Sequence, residues 1–200
     1  MKQDIAWVEV IPQEDAAGTL ADAYDAVKGR DGKVENLYLA MSQTPAAIQP
    51  ADAHYLALLH NPDNPLEPWL AELVSTYAAI LCGCRYAAVN HGANFRMYLG
   101  DEPRADEILQ ALEAGREPEG EDARTLAALR YARKLSLTPE QMSAKDLDPL
   151  RAAGFCDKGI SYLIQITAAF AYWARMINGL GTQLGGTVGL AGAPNPAGAS

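Results

Sequence analysis

Apolar positions recur every three or four residues along most of this chain, and no convincing stretch alternates between apolar and polar. Ala16 to Val27 carries Leu20, Tyr24 and Val27 on one stripe, then breaks at Gly29 and Gly32. Pro45 to His60 is a second helical segment, in which Pro50 is expected to kink the helix or delay its start. The run N-P-D-N-P-L-E-P at residues 61–68 predicts a turn-rich connector. From Trp69 to Leu81 the residues Trp69, Leu70, Leu73, Val74, Tyr77, Ile80 and Leu81 keep helical spacing. Gly83 interrupts that pattern, which resumes from about Cys84 to Leu99 and stops at Gly100. Two further helices are predicted over Ala105–Leu112 and Asp122–Leu135, separated by the polar loop G-R-E-P-E-G-E.

Thr138-Pro139-Glu140-Gln141 has capping-box spacing with proline at the first helical position. Ser143 is placed to cap the next helix, which ends at Gly154. A long apolar helix then opens at Cys156 or Asp157 and runs to Gly179 and Gly181. The fold class is all-α, as one domain over residues 1–183. The Gly/Pro/Ala-rich tail over residues 184–200 has no core of its own and is expected to lie against a neighbouring surface.

Composition narrows the setting. A hydrophobic share of 49% over 200 residues is enough to bury a full core. The formal charge of −9 excludes nucleic acid and anionic membrane as expected partners. The opening M-K-Q-D-I-A-W-V-E-V lacks an apolar core of signal-peptide length, and nothing approaches the ~18 apolar residues of a membrane span. A cytoplasmic location is expected, with Cys82, Cys84 and Cys156 mostly reduced and no disulfide framework. A close cysteine pair in that compartment points to redox, catalytic or metal-binding use.

The chemistry concentrates in L-C-G-C-R-Y-A-A-V-N-H-G, residues 81–92. With Trp69–Leu81 and Cys84–Leu99 as antiparallel helices, Glu72 lies ten residues before Cys82 and His91 nine after it. The two side chains should meet at one level. A carboxylate beside an imidazole fixes its tautomer and raises its basicity, although the same contact can serve only to tie two helices together. Cys84 would open the second helix, where thiols fall into the ~3.5–7.5 pKa range. Gly83 permits a backbone that could bring Cys82 and Cys84 together as a strained, reducible disulfide.

His91 lies about two turns, ~10.5 Å, beyond Cys84, too far for direct deprotonation. Ala87 holds the place one turn before His91. A metal set of Cys82, Cys84, His91 and His60 lacks the usual zinc spacing, so neither a metal nor a cofactor is expected. Cys156 fits a helix start, and His54 and His60 read as surface or satisfied core residues.

These residues resemble the AhpD-like alkylhydroperoxidase / carboxymuconolactone decarboxylase superfamily, in its peroxidase-related branch. Glu72 precedes Cys84 by twelve residues, C-R-Y-A follows, and His91 stands four after Ala87. L-R-Y-A-R-K-L, L-R-A-A-G-F-C-D and R-M-I-N-G-L-G extend the resemblance over most of residues 20–181. It implies an AhpD-like bundle of paired helical units, assembled as a homo-oligomer, trimer or hexamer. In peroxidase members a Glu–His relay serves the second cysteine of a Cys-x-x-Cys pair, the first cysteine resolves the intermediate, and an external thiol reductant regenerates the pair. Here the attacking cysteine is replaced by Ala87, and Cys82 is extra.

Three readings follow. In the leading one, Cys84 and Cys82 form a C-x-C thiol pair acting on a hydroperoxide or a disulfide, with His91 and Glu72 as relay. In the second, His91 and Glu72 perform cofactor-independent acid–base chemistry on a small carboxylate or lactone. The third is a family member without catalysis.

Overall fold

The computed structural model describes residues 5–29, 31–185 and 189 of the chain. Among them every regular element is helical: α1 Thr19–Val27, α2 Asn36–Leu39, α3 Ile48–Leu59, α4 Pro68–Leu81, α5 Arg85–Leu99, α6 Glu102–Glu113, α7 Ala123–Leu137, α8 Asp148–Ala152 and α9 Asp157–Leu180. The all-α expectation holds.

Helix α4 is the axis of the molecule. Ten consecutive residues, Leu70 to Ala79, are buried, because α5, α7 and α9 pack around it. Its hydroxyls are satisfied within the helix: Ser75 Oγ donates to the Ala71 carbonyl at 2.8 Å and Thr76 Oγ1 to the Glu72 carbonyl at 2.7 Å. Buried polar groups must find such partners or cost stability. Val74, Ala78 and Ala79 join one large core with residues of α1, α3, α7 and α9. Leu73 and Tyr77 face a smaller core made with Phe95, Ile108, Leu109, Leu112 and Leu129.

The turn between α4 and α5 is as short as the pattern requires. Gly83 has φ of 64°, a left-handed conformation that a side chain would strain. Cys84 then occupies the N-cap of α5 in extended geometry. Asn178 of α9 braces this turn, its amide donating to the Cys82 carbonyl at 3.2 Å.

The delayed start expected of the Pro50 segment is present: the α-helix begins at Ile48 rather than Pro45. A 3-10 turn at Pro45–Ala47 leads into α3, and Pro50 falls in the first helical turn, where the missing N–H has no helical partner to lose. Thr138 makes no capping box. Its hydroxyl donates back to the Lys134 carbonyl at 3.3 Å, and only a short 3-10 turn follows at Pro139–Gln141. Ser143 does begin a helical segment, with its N–H and hydroxyl both donating to Asp146, and Cys156 caps α9 by accepting from the Gly159 N–H at 3.5 Å. The tail lies largely outside the described residues. Gly189, which is described, donates its N–H to Asn90 Oδ1 at 3.1 Å.

Candidate active site

Glu72 is 2% exposed near the middle of α4, and its carboxylate is held from two sides. His91 Nδ1 lies 2.7 Å from Glu72 Oε2, and Asn94 Nδ2 donates to Oε1 at 3.1 Å. A carboxylate oxygen accepts, so Nδ1 carries the hydrogen, and in the neutral imidazole the lone pair is on Nε2. The imidazole stands edge-on to Phe170, with ring centroids 4.5 Å apart at 84°, and Tyr55 flanks it at 6.0 Å. One hydrogen bond and two aromatic neighbours therefore fix its orientation. The meeting of Glu72 and His91, expected from their distances to the turn, is present.

His91 borders a cavity of about 220 Å³. On α5 the stripe Ala87, Asn90, His91 and Asn94 forms one wall, at the i, i+3, i+4, i+7 spacing of a helix face. Phe170, Trp173 and Ile177 of α9 form another. The N-terminal third of the chain closes the space with Glu35, Tyr38, Asp52 and Tyr55. Tyr38 donates to Asp52 Oδ1 at 2.7 Å.

Tyr55 Oη lies 2.8 Å from His60 Nε2. Burial pushes the Tyr55 phenol well above its ordinary range and pulls His60 below its own. Both shifts favour a neutral pair in which the tyrosine donates to the imidazole. His60 is thus a satisfied partly buried histidine, and His54 is exposed.

The cysteines sit elsewhere. No cysteine among the described residues lines this cavity, and all three thiols are free. Cys84, expected at an exposed turn with a depressed pKa, is instead 1% exposed. Burial pushes its thiol up; the amides of Ala87 and Tyr86 pull the other way and are outweighed. The helix-terminus effect is real in sign, but it loses to desolvation in this setting. Cys84 borders a separate hollow beside Ala88, Val89 and Leu109. Cys82 is half-buried, with Arg175 Nη1 3.9 Å from its sulfur. Among the described residues, no three His, Cys, Asp or Glu side chains gather as a metal ion would need.

Sequence reasoning missed Glu35, Asp52 and Tyr55 as wall residues. Glu35 is the N-cap of α2, a helix of four residues that leaves no period to read. The one available sign was its place in a polar stretch ending at V-E-N.

The fold has known structural counterparts. An AhpD-core, uncharacterized peroxidase-related protein from Ralstonia eutropha JMP134 superposes with a TM-score of 0.79 at 23% identity, covering 92% of this chain and 94% of that one. An uncharacterized peroxidase-related protein from Silicibacter sp. TM1040 gives 0.75 at 20% identity, with 96% of each chain covered. A protein of unknown function from Agrobacterium tumefaciens gives 0.57 at 18% identity, over 74% of this chain and 96% of that one. No protein-family model and no curated protein matches the sequence. The fold is therefore that of the AhpD-like, peroxidase-related proteins. No helix among the described residues is long and apolar enough to cross a membrane.

Proposed function

We propose that this protein is a cofactor-independent acid–base enzyme of AhpD-like fold, in which His91 Nε2 is the base and Glu72 orients it. The observation that carries this reading is the cavity wall: it presents His91, backed by a buried carboxylate, and Ala87 where a thiol would stand. Proton abstraction needs an imidazole held in one orientation beside a space for substrate, and the hydrogen bond and ring contacts of His91 support that orientation. Asn94 and Glu72 form the support behind the base, and Phe170 limits its rotation. A cavity of about 220 Å³ suits a small molecule. An engineered cavity of ~150 Å³ holds benzene, so one substituted ring of about ten heavy atoms is the natural scale here.

The thiol reading keeps one specific support. Arg175 Nη1 lies 3.9 Å from the Cys82 sulfur, so a guanidinium stands beside one thiol of the pair. In that reading a hydroperoxide would oxidise Cys84, with Cys82 resolving it and an external dithiol restoring both. The raised pKa and burial of Cys84 weigh against that partnership.

The two readings separate in one set of variants. Deuterium uptake from D2O into an enolisable ketone should be lost in His91→Gln and kept in the Cys82→Ser, Cys84→Ser double variant. Consumption of cumene hydroperoxide with dithiothreitol that is lost in the double variant, with no deuterium uptake by the wild type, would establish the thiol reading instead.

A further inference from the structure

We infer that Glu35 is a second catalytic residue of the cavity, donating a proton to the carbonyl oxygen of an uncharged ring ketone or lactone while His91 takes the proton from the adjacent carbon. The inference rests on the acid–base reading above and adds a residue and a substrate class to it.

Glu35 reaches the cavity from the N-terminus of α2, on a different part of the chain from the α5 wall that carries His91. Its element is anchored independently of the site. Asn36 Nδ2 donates to the Gln183 carbonyl at 2.9 Å, and the N–H groups of Tyr38 and Leu39 both donate to the Glu35 carbonyl at 3.0 Å. Substrate between the two walls would meet a lone pair on one side and a carboxyl on the other, the placement that concerted enolisation requires.

The surroundings of Glu35 decide its charge. Burial is the largest influence and pushes its carboxyl up; Asp52 and Asp31 push the same way, while His91 opposes them. Tyr38, Tyr55 and Tyr86 also feel it, each held further from ionisation by its charge. Lys28 is the one lysine or arginine on the cavity wall among the described residues, and its Nζ is engaged by Asp25 Oδ1 at 2.9 Å. Nothing on the described wall thus offers an unengaged cation to a substrate carboxylate, while two carboxyl groups line the space. A substrate carboxylate there would face the Asp52 carboxylate in a partly dry site. An uncharged carbonyl compound meets no such opposition.

The step balances without a further reactant. The C–H bond beside the carbonyl breaks, its electron pair becomes the C=C bond, and His91 Nε2 takes the proton. The carbonyl oxygen receives the Glu35 proton. The products are an enol, the His91 imidazolium and the Glu35 carboxylate; reversal returns the ketone with hydrogen drawn from solvent.

Indan-2-one, with ten heavy atoms, is a suitable probe, and indane-2-carboxylate is its charged counterpart. Deuterium uptake into the ketone in D2O, followed by proton NMR, should exceed the buffer rate. It should fall about 100-fold in both Glu35→Gln and His91→Gln, the scale of a lost acid or base. Glu35→Asp, which keeps the carboxyl, should retain part of the rate if the change is chemical. The wild-type rate should decline at high pH as Glu35 ionises, and Glu35→Gln should lack that limb. By NMR titration the ketone should bind about tenfold or more tightly than the carboxylate.

Unchanged exchange in Glu35→Gln, or equal binding of the two probes, overturns this inference and leaves the His91 reading standing. Unchanged exchange in His91→Gln, or none in the wild type, overturns both.

Discussion

Ala87 lies one helical turn before His91 on α5, and both side chains border the same cavity. The position is 3% exposed, and it opens toward the imidazole rather than toward Cys84's separate hollow. The peroxidase chemistry implied by the Cys-x-x-Cys resemblance therefore depends on this one side chain.

Ala87→Cys should create a thiol that His91 can deprotonate. Its alkylation by iodoacetamide should proceed at pH values below the ordinary thiol range of about 8.5, and His91→Gln in the same background should slow it. Consumption of cumene hydroperoxide should rise above the wild-type level. Cys84 and the new thiol would then stand at C-x-x-C spacing.

Glu72→Ala should destabilise the protein by roughly 2–4 kcal/mol, because the His91 N–H and the Asn94 amide both lose a buried acceptor. Urea unfolding measures the loss. Glu72→Gln should cost less, since it keeps the volume and one acceptor, yet it should still lower any His91-dependent activity.

The three thiols should label in order of access. Cys156 is exposed, Cys82 half-buried and Cys84 buried, so peptide mapping after brief iodoacetamide treatment should find them in that sequence. Burial raises the Cys84 pKa above its ordinary 9.0. The folded state then holds that proton more tightly than the unfolded chain does. This contribution to stability is full below about pH 9 and is lost as pH rises through the folded value. Cys84→Ala should remove that component of the alkaline decline in melting temperature.

Glu35 has the same sign at lower pH. Its pKa is raised from 4.5, so the stability it contributes is complete below that value and falls away as pH climbs through the folded one. The stability of Glu35→Gln relative to wild type should therefore increase between acid and neutral pH, as read by thermal unfolding across that range.

Cys156→Ser should be neutral or stabilising by up to about 1 kcal/mol. The thiol at the start of α9 accepts weakly from the Gly159 N–H at 3.5 Å, and a serine hydroxyl is the stronger cap. Differential scanning calorimetry should show an unchanged or raised melting temperature.

What the sequence disclosed and what it hid follow from range. The α4–Gly83–α5 unit is local: unbroken periodicity on both sides of one left-handed glycine brings Glu72 to His91, and counting residues from the turn is enough to find the pair. The environment of Cys84 is not local. Its helix-start position was legible, but its burial arises from the wider core, which overrides the terminus effect. The cavity was hidden for the same reason. Glu35, Asp52 and Tyr55 lie between 36 and 56 residues before His91 and reach it only because α2 and α3 fold back over α5. Thr138 shows a smaller failure of the same kind, where the right residue spacing met a backbone that turned away.

The two ends of the described main fold meet. Trp7 donates its N–H to the Leu180 carbonyl at 2.8 Å, and Gln183 donates to the Ile5 carbonyl at 2.9 Å. Chain order is then less binding than chain contact: Ile5 and Gln183 can be joined through a linker and new ends cut in the exposed stretch at residues 114–117, far in sequence from Glu72, His91 and Glu35. Such a circularly permuted protein would carry its site intact and leave both termini free for attachment on the α6–α7 side.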